Sequence, residues 1–194
     1  MTSNIIFMRK NSFNLLSAMV LFLLCDSTTK AQTSKGDWLI GGLLELNTAK
    51  NNTTVEFSPN AGYFLLDNFA LGAKLVISYN ELGDLNVTSF GMGPFARYYF
   101  SEKNIKPFVA ADFDYQNQKF KTSIGSSTEN AFNFFLGGGV AFFINENVAV
   151  ETLLGYRHTK VKEEEGNGGV NFKVGFQVYL NRHQVNSVKS KIIK

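Results

Sequence analysis

The sequence predicts an all-β chain, an eight-stranded antiparallel up-and-down transmembrane β-barrel. Three observations carry this. First, Val170 to Leu180 alternates strictly: Val170, Phe172, Val174, Phe176, Val178 and Leu180 on one phase, Asn171, Lys173, Gly175, Gln177 and Tyr179 on the other. A period of two is a strand with two unlike faces, whereas a 3.6-residue period would smear Lys173 and Gln177 into the apolar stripe. Eleven residues is also the length a tilted strand needs to cross a bilayer. Second, seven more stretches alternate in the same way. Third, the polar phase is mostly Gly, Ala, Ser and Asn with large Phe and Tyr, a mixture that fills a narrow barrel interior.

The strands follow in order. Trp38, Ile40, Gly42, Leu44 and Leu46 oppose Gly41, Leu43, Glu45 and Asn47, and Thr48–Thr53 reads as a loop. Thr54–Leu65 sets Val55, Phe57, Pro59, Ala61 and Tyr63 against Glu56, Ser58, Asn60, Gly62 and Phe64. Asp67-Asn68 turns the chain into Phe69–Asn80, with Lys74 on the polar phase. A loop at Glu81–Asn86 precedes Val87–Phe100, which carries Arg97. After the turn Ser101–Asn104, Ile105–Asn117 carries Asp112 and Asp114. The longest loop is expected at Gln118–Asn130, then a strand at Ala131–Phe143, a turn at Asn145–Asn147, and Val148–Thr159 with Glu151 and Arg157. Three hairpin turns look like copies of one another: Asp67-Asn68-Phe69-Ala70, Lys103-Asn104-Ile105 and Glu146-Asn147-Val148-Ala149. Pro59, Pro94 and Pro107 fall inside strands, where a closed barrel offers no free edge, so bulges or local breaks are expected there.

The 194 residues are enough for one domain, and 19 Phe with 17 Gly suit an aromatic-rich β protein. The formal charge of +3 is concentrated at the ends: Arg9, Lys10 and Lys30 before residue 32, and Arg182, Lys189, Lys191 and Lys194 after 180. The portion between them carries no basic excess, so no nucleic-acid partner is expected. Residues 1–31 read as a secretory signal peptide, with Arg9 and Lys10 ahead of the apolar run Leu15–Leu24 and cleavage near Ala31, before Gln32. The single Cys25 lies within it, so the mature chain has no thiol chemistry. The expected organisation is signal peptide 1–31, barrel 32–180 and basic tail 181–194.

The charges fix which face points inward. Nine share the polar phase: Glu45, Glu56, Lys74, Arg97, Asp112, Asp114, Glu151, Arg157 and Lys173. A basic residue on the lipid face at midplane costs roughly 2–4 kcal/mol, and acids somewhat less. Reversing the phase would cost on the order of tens of kcal/mol, against the roughly 5–15 kcal/mol that holds a typical protein folded. The nine are expected to form a neutralising network inside the barrel, because unpaired buried charges are expensive. Counted from the short turns, Arg97 and Glu151 lie lowest, Glu45, Lys74 and Lys173 next, and Glu56, Asp112, Asp114 and Arg157 highest.

The last strand resembles the C-terminal assembly signal of outer-membrane barrels, carried by Lys173, Gly175, Val178 and Leu180. With the aromatic-Asp-Asn-x-Ala hairpin, it makes residues 37–180 similar to the outer-membrane β-barrel domain family of small OmpA/OmpX/OmpW-like barrels. Two features depart from that pattern: no peptidoglycan-binding domain follows, and Asn181–Lys194 continues past the last strand. The resemblance implies a Gram-negative outer-membrane location, both termini in the periplasm, contact with lipid and lipopolysaccharide, and insertion by the barrel-assembly machinery.

No catalytic motif, cofactor or metal site stands out. Lipid A deacylases carry a His-x-Ser pair, but here His158 is followed by Thr159 and Lys160. Gly137-Gly138-Gly139 precedes no helix and reads as close packing rather than a phosphate loop. Glu163–Glu165 reads as a solvated loop. The expected function is therefore a non-enzymatic, monomeric envelope protein with a plugged interior and structural or adhesive loops. The alternatives are a narrow OmpW-like channel for small hydrophobic solutes and, more remotely, a lipid A-modifying barrel.

Overall fold

The computed structural model describes residues 33–49, 52–82, 85–101, 103–122, 125–161, 166–182 and 184–187. Eight antiparallel strands close into a barrel in sequence order: β1 Trp38–Ala49, β2 Asn52–Leu66, β3 Phe69–Leu82, β4 Leu85–Tyr99, β5 Ile105–Thr122, β6 Gly125–Phe143, β7 Val148–Val161 and β8 Asn167–Leu180. Closure comes from β8 pairing with β1, from Trp38↔Leu180 to Glu45↔Lys173. Every strand therefore has a partner on both sides, and the edge that an open sheet would present to lipid is removed.

The strands run further at one end than alternation alone implies. The stretches Thr48–Thr53, Glu81–Asn86 and Gln118–Asn130, read as loops in the sequence, are mostly paired hairpin ends. β1 and β2 pair out to Ala49↔Asn52, β3 and β4 to Leu82↔Leu85, and β5 and β6 to Thr122↔Gly125. Beyond the hydrocarbon both faces meet water, so hydrophobic alternation fades while the backbone ladder continues. Glu163–Glu165 and His183 lie outside the described residues.

Pro59 and Pro94 each sit at a gap in one of their two ladders rather than in a bulge. The β2–β3 ladder skips from Phe57↔Ile77 to Asn60↔Lys74, passing Pro59 without a change of register. The β4–β5 ladder skips from Met92↔Tyr115 to Phe95↔Asp112, passing Pro94 in the same way. Pro107 near the start of β5 stays paired with Val140. The register shift in the β2–β3 ladder falls elsewhere, between Phe64 and Leu66, just before the Asp67-Asn68 turn. Asn68 adopts φ +64°, the left-handed conformation that Asn tolerates in tight turns.

After β8 the chain makes a helical turn at residues 184–187. Asn181 caps it, its Oδ1 accepting from Gln184 N at 2.8 Å. Gln184 Oε1 in turn accepts from Asn147 Nδ2 at 3.0 Å, tying this turn to the β6–β7 connection.

Candidate functional site

The inward phase packs the lumen in layers. At the short-turn end, β2, β4, β5, β6 and β8 contribute Phe64, Tyr99, Phe108, Phe143 and Tyr179, all buried. Their rings interlock: Phe143–Tyr179 centroids are 4.7 Å apart, Tyr99–Phe108 5.2 Å and Phe64–Tyr99 5.9 Å. Below them, residues 33–37 cross the mouth. Gly36 N donates to Phe64 O at 2.8 Å, and Asn68 N donates to Thr33 O at 2.7 Å. Gly36 is at φ +96° with the Arg182 side chain packed against it, so a Cβ there would sit 1.8 Å from Arg182 Nε. Burial raises the Asp37 carboxyl above its ordinary range, opposed by the Ser34 backbone and by Arg182.

Above the rings lies an ion pair. Arg97 Nη1 donates to Glu151 Oε2 at 2.8 Å, both side chains being buried. Tyr179 OH donates to Glu151 Oε1 at 2.7 Å, and the Arg97 guanidinium lies 5.1 Å from the Phe95 ring and 5.6 Å from the Phe108 ring. Tyr99 OH adds a longer bond to the same Oε1 at 3.4 Å, so the buried anion has three donors.

Higher in the barrel, Lys74 Nζ bridges Asp112 and Asp114. Asp114 Oδ2 also accepts from Asn133 Nδ2 at 2.7 Å and Gln116 Nε2 at 2.9 Å. Next to this group Arg157 grips Glu56 with both terminal nitrogens, at 2.6 and 2.8 Å, and lies 3.3 Å from Glu45 Oε2. Asn171 Nδ2 donates to Glu45 Oε1 at 2.7 Å. Lys173 makes no ion pair with a described residue; its Nζ stands 4.4 Å from the Phe135 ring centroid.

All nine polar-phase charges therefore point into the barrel. Their pairing follows the heights that residue counting gives for Arg97 with Glu151 and for Arg157 with Glu56, and departs from them elsewhere. Lys74 meets Asp112 and Asp114, and Arg157 meets Glu45, although counting puts these partners on different levels. Shear staggers neighbouring strands, so residues equally far from their turns are not level. One inward charge escaped the sequence reading. Lys106, fully buried, donates from Nζ to Thr33 Oγ1 at 2.7 Å and lies 5.6 Å from the Phe143 ring. It shares the phase of Asp112 and Asp114, which was the available signal, but its place beside a turn and before Pro107 hid it. With Lys106 the set comprises five acids and five bases, with no formal net charge.

The residues of the last-strand signature divide between the faces. Lys173 and Gly175 point inward, and a Cβ at Gly175 would meet Gly42 O at 2.1 Å. Val178 lies on the outer face, and Leu180 pairs with Trp38. His158 is exposed on the outer face of β7, and no group of three or more potential metal ligands occurs among the described residues.

The outer face is apolar. Ile40, Leu44, Phe57, Leu71, Ile77, Leu136, Leu154 and Phe176 are all exposed. Trp38, Tyr63 and Tyr98 ring the short-turn end, and Tyr79, Tyr115, Phe132, Tyr156 and Phe172 ring the other. An apolar band between two aromatic girdles, around a polar filled interior, defines an integral membrane β-barrel.

The chain belongs to the outer membrane protein beta-barrel domain family, whose model matches residues 17–183. Among solved structures it is similar to Neisserial surface protein A (NspA), with 15% identity, a TM-score of 0.59, and 76% of this chain and 99% of that one covered. The N-terminal beta-barrel domain of Pseudomonas aeruginosa OprF matches with 18% identity and a TM-score of 0.52, over 75% of this chain and 98% of that one. Ail, the attachment invasion locus protein of Yersinia pestis, matches with 11% identity and a TM-score of 0.50, over 75% and 99%. No curated protein matches the chain.

Proposed function

We propose that this chain is a non-enzymatic outer-membrane protein whose barrel is a closed anchor and whose exposed hairpin ends meet the outside in a structural or adhesive role. The observation that carries this reading is the filled lumen. A void lined by residues including Ser58, Asn60, Lys74, Arg97 and Lys173 amounts to about 20 Å3. That is room for about one water, not for a solute. An aromatic layer and a strap at Thr33–Asp37 lie between this void and the short-turn mouth.

In this reading residues 1–31 are the secretory signal, removed near Ala31, and the short turns face the periplasm with both termini. The Lys173, Gly175, Val178 and Leu180 signature engages the barrel-assembly machinery. The folded monomer then sits among outer-leaflet lipid and lipopolysaccharide. Liposome swelling tests the closed barrel against a narrow channel. Vesicles carrying the folded protein should take up small sugars no faster than empty vesicles. Uptake that rises with protein loading and falls with solute size would replace the anchor with the channel.

A further inference from the structure

Every ladder of the barrel but one is joined by a hairpin; the β1–β8 seam has no covalent turn at either end. At the short-turn mouth the connections β2–β3, β4–β5 and β6–β7 alternate round the barrel, and the seam stands where a fourth turn would fall. Its ladder stops at Glu45↔Lys173, whereas β1 goes on pairing with β2 to Ala49↔Asn52. A hairpin keeps its two strands close after their bonds break. The seam lacks that tether, since its closure joins the two ends of the whole barrel chain.

The segments on either side of the barrel in sequence meet at this mouth. Before β1, Asp37 O accepts from Phe64 N at 3.0 Å, which carries the β1–β2 pairing one residue past Trp38. Asp37 then closes a tight turn, its N donating to Ser34 O and its Oδ2 accepting from Ser34 N, each at 3.0 Å. The turn sends Thr33 back over the mouth, where it is buried. The Thr33 hydroxyl uses both of its capacities: it donates to Asn68 Oδ1 at 2.7 Å and accepts from Lys106 Nζ at 2.7 Å. Lys106 belongs to β5, which stands across the barrel from β1. Lys35 N adds a bond to Asp67 Oδ1 at 2.8 Å. Beyond β8, the Asn147 and Gln184 side-chain amides bond each other in both directions, at 3.0 and 3.3 Å. Between that anchored turn and β8, Arg182 lays its guanidinium against Gly36.

We propose that Thr33–Asp37 and Asn181–Ser187 form a clasp that holds the β1–β8 seam shut at the short-turn end, in place of the turn that the seam lacks. Thr33 ties the β1 side to the β2–β3 turn and to the far wall, and Arg182 on Gly36 joins the two sides of the seam. The clasp does not depend on whether the lumen conducts or on what the hairpin ends meet outside.

Hydrogen exchange of the full folded protein in micelles, read by mass spectrometry, tests this. In the unmodified protein the amides of Leu39, Ile40, Val178 and Tyr179 should exchange as slowly as those of Tyr98, Tyr99, Phe108 and Val109, which lie at the same end of a hairpin-joined ladder. Thr33→Val keeps the side-chain shape and removes both hydroxyl bonds. Gly36→Val puts a β-branched side chain at φ +96° and into the space of Arg182. Each should speed exchange at the seam by about tenfold, the worth of one or two net hydrogen bonds, and leave β4 and β5 unchanged. Ser101→Ala, which removes a bond to Lys103 N in the β4–β5 turn, should leave the seam as it is. Heat-modifiable gel migration reports whether each variant is folded, and the comparison within the unmodified protein stands without any variant. Seam amides that already exchange tenfold faster than those of β4 and β5 in the unmodified protein would overturn the clasp. So would an unchanged seam, or an equal rise in all strands, in the folded variants.

Discussion

Arg97→Ala should lower the stability of the barrel by about 3–5 kcal/mol, the largest effect expected of any single charge removal. Glu151 would remain fully buried with its carboxylate intact and its closest cation gone. The Tyr179 hydroxyl, 2.7 Å away, cannot neutralise it, and the rings of Phe95 and Phe108 would lose the guanidinium packed against them. Arg157→Ala should cost less, because that side chain is 14% exposed and Glu56 could regain water. The comparison that isolates the mechanism is Arg97→Met with Glu151→Met. Replacing a buried ion pair by apolar side chains of similar volume is often neutral or stabilising, so the double variant should recover most of the loss. Urea titration in micelles, read by gel mobility, measures all three. A loss below about 1 kcal/mol for Arg97→Ala would show that the pair is solvated or dispensable.

The second large effect is expected at Gly137-Gly138-Gly139, where three adjacent glycines should respond in opposite ways. A Cβ at Gly137 would lie 2.7 Å from Phe135 Cζ and 2.8 Å from Gly155 Cα, and one at Gly139 would lie 2.8 Å from Phe108 Cζ. Gly138 faces outward, with Phe108 O at 3.7 Å as its nearest neighbour. Gly137→Val should therefore overpack the lumen, costing about 1–3 kcal/mol or blocking assembly. Gly138→Val should be neutral or mildly stabilising, since it adds apolar surface to the lipid face and restricts the unfolded chain. Folding yields into vesicles and urea midpoints decide the matter. Similar losses at both positions would mean that the run is needed for backbone flexibility rather than for the space its inner members leave to Phe135 and Phe108.

The barrel was legible because the bilayer and the lumen make opposite demands on alternate residues. Val170–Leu180 states that opposition most clearly, and its phase carries through to Glu45 on β1, with which Lys173 pairs. The strand ends were less legible. From Gln118 to Lys121 the outward residues are lysines and the inward ones Gln and Phe, so hydrophobicity no longer sorts the faces, while the ladder runs on to Thr122↔Gly125. Inward direction could be read for the nine charges, and so could two pairings on matching levels, Arg97 with Glu151 and Arg157 with Glu56. Lys74 meets Asp112 and Asp114, and Arg157 meets Glu45, through shear and side-chain reach that residue counting does not contain. Thr33–Asp37 gave no periodic signal at all. Its place rests on hydrogen bonds from Gly36 N to Phe64 O, from Asn68 N to Thr33 O and from Lys106 Nζ to Thr33 Oγ1, which no alternation announces.

Single-channel recording in planar bilayers tests the closed lumen most directly. The folded protein, inserted at controlled density, should give no unitary current steps at moderate voltage. A combined Arg97→Ala, Glu151→Ala, Tyr179→Ala variant, which removes the side chains spanning the narrow layer, should show steps if it inserts. Stable unitary conductance from the unmodified protein, scaling with salt concentration, would mean that a continuous water path runs past Arg97 and Glu151 and would contradict the account.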